Sequence, residues 1–233
     1  VDMLLTILLK RNQYSVAQID VFSGQAFVFA ELSMILLQWL RKPVVLTLHG
    51  GRLPEFALRN SNRIYKLFEK AQVIVTPSPF LQQSLSKFRT NIRLIENPVD
   101  LSLSVFRVRE KVEPKLVWVR SFHKTYNPQL VPIVLFRLID QFPEMVITMI
   151  GPDEGDGSKQ RMLELAQELG IAEKIRIMGS VDHSAIPAYL NQNDIFINTS
   201  NYDTAPRSLI EAMANGLCIV TTNVGGIPWI VEN

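Results

Sequence analysis

Short, continuously apolar segments alternate with longer segments of helical periodicity along most of the chain. The apolar segments are rich in Val and Ile, which is typical of strands buried on both faces of a parallel sheet. They cover residues 18–22, 44–49, 73–77, 92–95, 116–120, 146–150, 175–178, 195–198 and 218–221. Helices are predicted between them, over residues 26–40, 62–70, 80–88, 128–142, 158–169, 185–191 and 206–215. The alternation predicts an α/β protein with right-handed crossovers and parallel sheets.

The alternation is interrupted once. Residues 97–114 show no clear period, and charged side chains cluster over residues 107–113. Regular alternation resumes at Lys115. We therefore predict two doubly wound domains, over residues 1–107 and 108–233, and we expect the first to be incomplete and the second to be truncated at its end.

The net charge also differs between the two predicted domains. The formal net charge is +2, but residues 1–107 carry +6 and residues 108–233 carry −4. This asymmetry indicates either two domains with different partners or an uneven distribution of surface charge without functional meaning. The sequence leaves both interpretations open. The single cysteine excludes an internal disulfide and favours a reducing, cytoplasmic compartment. No feature of the sequence indicates nucleic acid as a partner.

A basic stretch in the first half suggests a location. Residues 52–70 hold five Lys or Arg and two Glu. The stretch is either an ordinary solvated face or a contact with an anionic acceptor or a membrane surface. In the last case the protein would be peripheral at the inner face of the membrane. The most apolar segment, residues 26–40, is too short to span a bilayer.

The second domain has a predictable ligand crevice. In the usual doubly wound order, 3-2-1-4-5, the first and fourth strands are neighbours, and ligands bind outside their carboxyl ends. Pro206 suits the first turn of a helix, whose free amides and dipole favour an anion. Arg120 ends the first strand and adds a positive charge whose fork geometry suits phosphate. Asp203 and Glu211 add acceptors for hydroxyl groups, so the crevice suits a phosphate next to a ribose or a sugar.

Three consecutive segments resemble a known family: residues 203–216 (Asp-Thr-Ala-Pro-Arg-Ser-Leu-Ile-Glu-Ala-Met-Ala-Asn-Gly), 218–222 and 224–228. They resemble the donor site of glycosyltransferase family 4, in which a Glu-x7-Glu pair precedes Ala-Met-Ala, a glycine, a buried strand and a Gly-Gly turn. Residues 149–153, 177–181 and 194–200 match further blocks of that family. The resemblance implies the GT-B architecture of two Rossmann-like domains, with a nucleotide-sugar donor in the second and the acceptor in the first.

Two positions depart from the family pattern. Asp203 stands where the family has the first Glu, so its side chain is one methylene shorter. The family Arg is followed a few residues later by Lys-Gly, whereas Lys124 is one position early and has no glycine after it.

The crevice and the resemblance together assign site residues. His49 ends a buried strand before two glycines, and it resembles the family histidine that faces the cleft near the donor sugar. A hydrogen-bonded loop residue is the alternative. Catalytic roles are assigned to His49, Arg120 and Asp203. Donor binding is assigned to Arg120, Lys124, Gly151, Asp203, Thr204, Ala205, Pro206, Arg207, Ser208 and Glu211. His123 and His183 are interpreted as surface residues, and Cys218 as a core residue of its strand.

The resemblance implies a retaining, hexosyl-type transfer from a nucleotide-diphosphate sugar to a hydroxyl of a glycan, a lipid or a small molecule. No Asp-x-Asp motif and no Cys/His cluster of ligand spacing occurs in the sequence. We therefore expect no metal and no cofactor, with Arg120 and the helix terminus stabilising the departing diphosphate. Two alternatives remain: a binding or assembly module that keeps the fold without turnover, and a nucleotide-sugar epimerase on the same fold. The sequence identifies neither the sugar nor the acceptor.

Overall fold

The computed structural model describes residues 2–231 and confirms an α/β protein with two parallel sheets. The chain forms two compact units. The first unit runs to Asn97 and also includes Tyr202–Ala205 and the segment from Pro228, and the second unit consists of Pro98–Asn201 and Pro206–Ile227. A bilayer-spanning helix needs about 20 apolar residues. None of the helices within residues 2–231 has the length and apolar character of a membrane span.

The first unit contains four strands and five helices within the described part of the chain. In order they are α1 (Asp2–Leu9), β1 (Ala17–Val21), α2 (Ala26–Trp39), β2 (Val44–Leu48), α3 (Leu53–Arg59), α4 (Ser61–Glu69), β3 (Val73–Thr76), α5 (Pro79–Leu85) and β4 (Arg93–Leu94). The strands are all parallel, in the order β1-β2-β3-β4. Helices α1 and α3 were not predicted from the sequence. The first is apolar at nearly every position and the second has only seven residues, so neither shows a clear helical period.

The core of the first unit is a buried cluster formed by the strands together with α2, α3, α4 and α5. Leu46 and Leu48 of β2 are fully buried, and Val44 is nearly so. Phe27 and Leu37 of α2 belong to the same buried cluster. The strand predicted at residues 44–49 is therefore present as Val44–Leu48, with its alternate residues buried and Val45 and Thr47 partly exposed.

The second unit contains β5 (Lys115–Val119), α6 (Leu130–Leu138), β6 (Val146–Ile150), α7 (Ser158–Glu168), β7 (Ile175–Gly179), α8 (Ile186–Asn191), β8 (Ile195–Asn198), α9 (Arg207–Ala214) and β9 (Cys218–Thr221). Its strands are parallel in the order β7-β6-β5-β8-β9, which confirms the expected doubly wound arrangement. Trp118 and Phe122 are fully buried against each other, with ring centroids 5.1 Å apart. Trp118 Nε1 also donates to Thr199 Oγ1 at 3.0 Å, which ties the end of β5 to the segment after β8.

The charged segment before β5 is held to the second unit by one buried carboxylate. Asp194 is 5% exposed, and its Oδ1 accepts from Arg109 Nε at 2.9 Å and from Arg107 Nη2 at 2.5 Å. Its Oδ2 accepts from the backbone N–H of Glu113 at 2.9 Å. Burial raises the pKa of Asp194, but these hydrogen bonds and the two guanidinium charges outweigh burial, so its pKa is lowered.

Two details of the sequence interpretation are corrected. Helix α9 begins at Arg207, because Pro206 has an extended backbone (φ −66°, ψ 108°) and forms the N-cap. Cys218 is exposed, although it lies in a strand as predicted. The physical reason is that β9 is the edge strand of its sheet, where Cys218 and Val220 face away from the covered side.

Candidate functional site

A cavity of about 290 Å³ opens at the carboxyl edge of the second sheet. Its walls are the ends of β5 and β6, the loop after β7 and the first turns of α9. The lining residues are Val119, Arg120, Ser121, Ile150, Gly151, Pro152, Ser180, Val181, His183, Ile186, Arg207, Ser208 and Glu211. Five of the residues assigned from the sequence thus meet in one cavity of the second unit: Arg120, Gly151, Arg207, Ser208 and Glu211.

Glu211 supplies the carboxylate among the residues that line this cavity. It lies on α9 and is 8% exposed. One of its oxygens, Oε1, is 2.9 Å from His183 Nε2 and 2.9 Å from Arg207 Nε. Within residues 2–231, Oε2 accepts no hydrogen bond. The carboxylate is therefore oriented through one oxygen, and the other can accept from a ligand hydroxyl.

His183 is a site residue that the sequence did not reveal. Its side chain is half exposed, as the surface interpretation predicts, but it also lines the cavity. It begins a short 3-10 turn, His183–Ala185, which is capped by Asp182. Asp182 Oδ1 accepts from the backbone N–H and the hydroxyl of Ser184 at 2.8 and 2.5 Å, and these bonds lower the pKa of Asp182. The sequence signal was the Asp-x-Ser turn in the loop after β7, which fixes the residue between Asp182 and Ser184.

Arg120 and Gly151 are brought together by their backbones. Arg120 continues β5, and its N–H donates to Ile150 O at 3.0 Å. Gly151 has φ +148°, and a Cβ placed on it would lie 1.8 Å from Arg120 O. Only glycine lets the chain after β6 pass this close to Arg120. The Arg120 guanidinium lies over the Tyr126 ring, 5.2 Å from its centroid.

The start of α9 has the features of an anion site. The first amides of a helix lack intrahelical acceptors, and the helix dipole places partial positive charge there. Arg207 and Ser208 are the first two residues of α9, and both line the cavity. Ser208 is 7% exposed, and its Oγ has no hydrogen-bond partner within residues 2–231. An anion at this terminus would meet amides and a hydroxyl together.

Lys124 is placed differently. It is exposed and does not line the cavity. Its backbone N–H donates to Asp156 Oδ2 at 2.9 Å. Hydrogen bonds from Ser158 and from the Lys124 backbone lower the pKa of Asp156. In this structure Lys124 thus acts through its backbone, in the turn that also holds His123, whose Nε2 is 3.6 Å from Asp156 Oδ2.

The loop Tyr202–Ala205 belongs to the first unit. Asp203 Oδ1 accepts from the backbone N–H of Thr204 at 2.9 Å. Thr204 O accepts from the buried hydroxyl of Ser78 at 2.9 Å, and Ala205 O accepts from Asn97 Nδ2 at 3.0 Å. The carbonyl oxygens of Thr204 and Ala205 and the carboxylate of Asp203 thus each accept a hydrogen bond within the first unit.

His49 also lies in the first unit. It follows β2, and its backbone N–H donates to Val21 O at 2.9 Å. Its ring stacks on Phe22 at a centroid distance of 5.3 Å, and its Nε2 is 3.4 Å from Asp20 Oδ1. Gly50, at φ +86°, turns the chain away directly afterwards. The imidazole is thus oriented at the carboxyl end of a parallel strand, where α/β proteins bind ligands.

Curated proteins with related sequences include two that act on inositol compounds, by their names. A phosphatidylinositol N-acetylglucosaminyltransferase subunit of Homo sapiens is 28% identical over 136 residues, which is 58% of this chain and 27% of that protein. D-inositol 3-phosphate glycosyltransferase of Mycobacterium marinum is 25% identical over 198 residues, which is 80% of this chain and 42% of that protein. The chain therefore spans less than half the length of these relatives.

Solved structures match over nearly the whole chain. The structure of Anabaena Alr3699/HepE in complex with UDP and glucose has a TM-score of 0.81 at 17% identity, and the match covers 100% of this chain and 66% of that one. Sucrose-phosphate synthase from Thermosynechococcus elongatus has a TM-score of 0.76 at 18% identity, covering 98% of this chain and 61% of that one. At this identity the likeness shows the fold alone, which is a partial GT-B fold.

The family follows from the sequence matches. Residues 105–233 match the family described as glycosyl transferases group 1. Residues 3–103 match the family described as Glycosyltransferase Family 4. The first match alone covers more than half of the chain, and the second accounts for most of the rest. The chain therefore belongs to the family of group 1 glycosyl transferases.

Proposed function

We propose that this glycosyltransferase binds a nucleoside-diphosphate hexose in the cavity of the second unit. We further propose that it transfers the hexose, with retention of anomeric configuration, to an acceptor hydroxyl. The observation that carries the proposal is Glu211, whose carboxylate is oriented by His183 and Arg207 at the wall of the cavity that Arg120 and the start of α9 also line. Glu211 can accept a hydrogen bond from a ribose hydroxyl, and the start of α9 beside it can bind phosphate. A nucleotide contains both groups, so it suits this pair of features better than a ligand with only one of them.

The diphosphate is assigned to Arg120 and to the first amides of α9. Both lie at the cavity and both place positive charge there. When the bond from the anomeric carbon to the diphosphate breaks, negative charge grows on the leaving oxygen. Donors that are already oriented stabilise that charge without reorganisation. We therefore propose that leaving-group stabilisation needs neither a metal ion nor a cofactor.

The nucleoside is assigned to the other end of the cavity. Glu211 Oε2 would accept from a ribose hydroxyl, since Oε1 is already bound by His183 and Arg207. Val181 and Ile186 add an apolar wall that suits the face of a base. Because the related HepE structures are complexes of UDP, of UDP with glucose and of UDP-glucose, we propose a uridine nucleotide as the donor to test first.

The chemistry exchanges one bond at the anomeric carbon for another. The acceptor oxygen bonds to that carbon as the diphosphate leaves, and the proton of the acceptor hydroxyl passes to the departing diphosphate oxygen. The sugar carries positive charge in between. We propose that the Asp203 carboxylate stabilises this charge and that His49 orients the sugar. Both side chains are already held, by Thr204 and by Phe22 respectively.

The acceptor class is proposed from the relatives. Their names specify an inositol phosphate and phosphatidylinositol, so we propose a polyol hydroxyl, either soluble or lipid-linked, with a glycan hydroxyl as the alternative. The human relative is named as one subunit of its enzyme, which supports testing for partner proteins as well. We propose that the reaction takes place in the cytoplasm.

One observation favours a second candidate, a donor-binding module without turnover. Asp203 is shorter than the family Glu, and one of its oxygens is used by the adjacent backbone N–H. The test is release of nucleoside diphosphate by the full-length protein with labelled donor. Release that requires an acceptor and accompanies labelled product supports transfer. Donor binding without release supports the module, and exchange of donor epimers without acceptor supports an epimerase.

A further inference from the structure

The loop after β5, residues 121–127, connects Arg120 to α6 and is anchored to the loop after β6. The backbone N–H of Lys124 donates to Asp156 Oδ2 at 2.9 Å. The other oxygen of this carboxylate, Oδ1, accepts from the backbone N–H of Ser158 at 2.9 Å. Ser158 is the first residue of α7, so Asp156 joins the loop after β5 to the start of that helix.

The same loop is anchored to the segment after β8 by three hydrogen bonds, all of which go to backbone carbonyls of the loop. Asn201 supplies two of them: its backbone N–H donates to Thr125 O at 2.8 Å, and its Nδ2 donates to Lys124 O at 3.0 Å. The third donor is the hydroxyl of Thr199, which lies 2.7 Å from Tyr126 O. Three consecutive carbonyls are therefore bound by one neighbouring segment, and contacts within the second unit fix the backbone of the loop.

This anchoring fixes the position of Tyr126 beside Arg120. The backbone N–H of Tyr126 donates to His123 O at 2.9 Å, while its carbonyl accepts from Thr199. The Arg120 guanidinium lies over the Tyr126 ring, 5.2 Å from its centroid, which is within the range of a cation–π contact. Arg120 lines the cavity of the second unit, whereas Tyr126 does not. An effect of the Tyr126 ring on a ligand in this cavity would therefore be indirect.

A ring in this position restricts the arginine without using its hydrogen-bond donors. The N–H groups of a guanidinium point outward in its plane, whereas an aromatic ring engages its face. A side chain that is already ordered loses less conformational entropy when it binds a ligand. Contact with the Tyr126 ring should therefore strengthen the binding of phosphate by Arg120.

The loop departs from the family pattern at this point. In that pattern the Arg is followed by Lys-Gly, whereas the Lys124 side chain of this chain lies outside the cavity. The loop ends with Asn127 at φ +46°, a left-handed backbone that asparagine adopts more readily than most residues. The side chain that this loop places against Arg120 is the ring of Tyr126.

We propose that Tyr126 is a positioning residue for diphosphate binding: its ring orients Arg120 at the cavity, and Asp156 and Asn201 fix the loop that carries the ring. This role rests on the proposed function, since it requires a nucleoside diphosphate in the cavity. It separates two classes of contact with the donor. Tyr126 affects the phosphates through Arg120, and it has no effect on the nucleoside.

Calorimetry of the full-length protein with uridine and with uridine diphosphate tests this role. Tyr126→Leu should weaken diphosphate binding about fivefold, which corresponds to about 1 kcal/mol for a cation–π contact, and should leave uridine binding unchanged. Tyr126→Phe keeps the ring, so its diphosphate affinity should stay within about twofold of the parent value. Tyr189→Leu is the matched control, because Tyr189 is a partly buried tyrosine of α8 outside the cavity.

A cycle with Arg120→Ala distinguishes positioning from a purely structural role. If Tyr126 acts through Arg120, Tyr126→Leu should change diphosphate affinity by less than about twofold in the Arg120→Ala background. Tyr126→Met, which fills more of the same space without a ring, replaces Tyr126→Leu in the cycle if the leucine variant does not fold.

Three results would overturn the role of Tyr126 while the parent still binds the diphosphate, so that the proposed function stands. They are unchanged diphosphate affinity in Tyr126→Leu, an equal loss for uridine and its diphosphate, and additive losses in the cycle with Arg120→Ala. A parent protein that binds neither ligand would contradict the proposed function and the role of Tyr126 together.

Discussion

His183 Nε2 lies 2.9 Å from Glu211 Oε1, although the two residues are 28 positions apart in the chain. The same oxygen is bound by Arg207, one helical turn before Glu211 on α9. Oε1 of Glu211 thus interacts with two side chains from different elements. These two contacts fix the orientation of the carboxylate and therefore the position of Oε2. If Glu211 binds the ribose of the donor, His183 is a positioning residue for nucleoside recognition.

We expect His183→Ala to weaken binding of a nucleoside diphosphate by about 1 kcal/mol, since a half-exposed hydrogen bond contributes at the lower end of the usual range. His183→Gln should restore most of the affinity, because its amide can reach the position of Nε2. Calorimetry on the parent, His183→Ala, Glu211→Ala and the double variant checks whether His183 acts through Glu211. Additive losses would show that His183 acts on the ligand independently of Glu211.

Arg120→Ala should weaken nucleoside diphosphate binding by about 1.5–3 kcal/mol, the usual contribution of a hydrogen bond to a charged group. The loss should be much smaller for the uncharged nucleoside, because Arg120 is assigned to the phosphates. Arg137→Ala is the matched control, since Arg137 is an exposed arginine of α6 outside the cavity. Equal losses for the nucleoside and its diphosphate would contradict the assignment.

Asp203→Asn should lower turnover more than donor affinity. The substitution keeps the size of the side chain and an acceptor for the Thr204 N–H, but it removes a charge felt mainly in the transition state. The check is transfer of labelled sugar at saturating donor, alongside donor affinity. Equal, non-zero rates for parent and variant would exclude a catalytic role for Asp203.

Asp194→Asn should destabilise the second unit by about 3–5 kcal/mol, because it leaves two guanidinium groups without their buried partner. Glu113→Gln is the control, since its pair with Lys115 is half exposed and contributes about 0–1 kcal/mol. The pKa of Asp194 is lowered in the folded state, so its stabilisation is complete above the unfolded value of about 3.9. It is lost as pH falls through the folded value. Urea titrations of both variants across acidic pH should show this loss in the control and not in Asp194→Asn.

The fold could be predicted because it depends on local patterns. Continuous apolar runs such as residues 116–120 and 146–150 mark strands buried on both faces, and strict alternation with helices sets the parallel order that the structure confirms. Helix α1 was not predicted because it is apolar nearly throughout, so its sequence shows no helical period. Cys218 was misjudged because an edge strand has the same sequence pattern as a covered one.

The site was harder to predict, since contacts across the fold decide it. Arg120 could be placed at the crevice from strand order, whereas Gly151, which follows the neighbouring parallel strand, was assigned from the family resemblance. The link from His183 to Glu211 joins the loop after β7 to α9, and no local period in the sequence reports it. Lys124 was assigned to donor binding from the family resemblance, and the structure adds that its backbone N–H donates to Asp156, a contact that no sequence pattern predicts.

The most direct test of the account is calorimetry of full-length Glu211→Ala against its parent, with a nucleoside, its diphosphate and the corresponding nucleotide sugar. All three ligands contain the ribose that we assign to Glu211. We predict that the parent binds the diphosphate and the nucleotide sugar, and that the variant loses the same free energy for each ligand, about 1.5–3 kcal/mol. Unchanged binding in a folded variant, or a loss confined to the nucleotide sugar, would contradict the assignment of the cavity to the nucleoside of the donor.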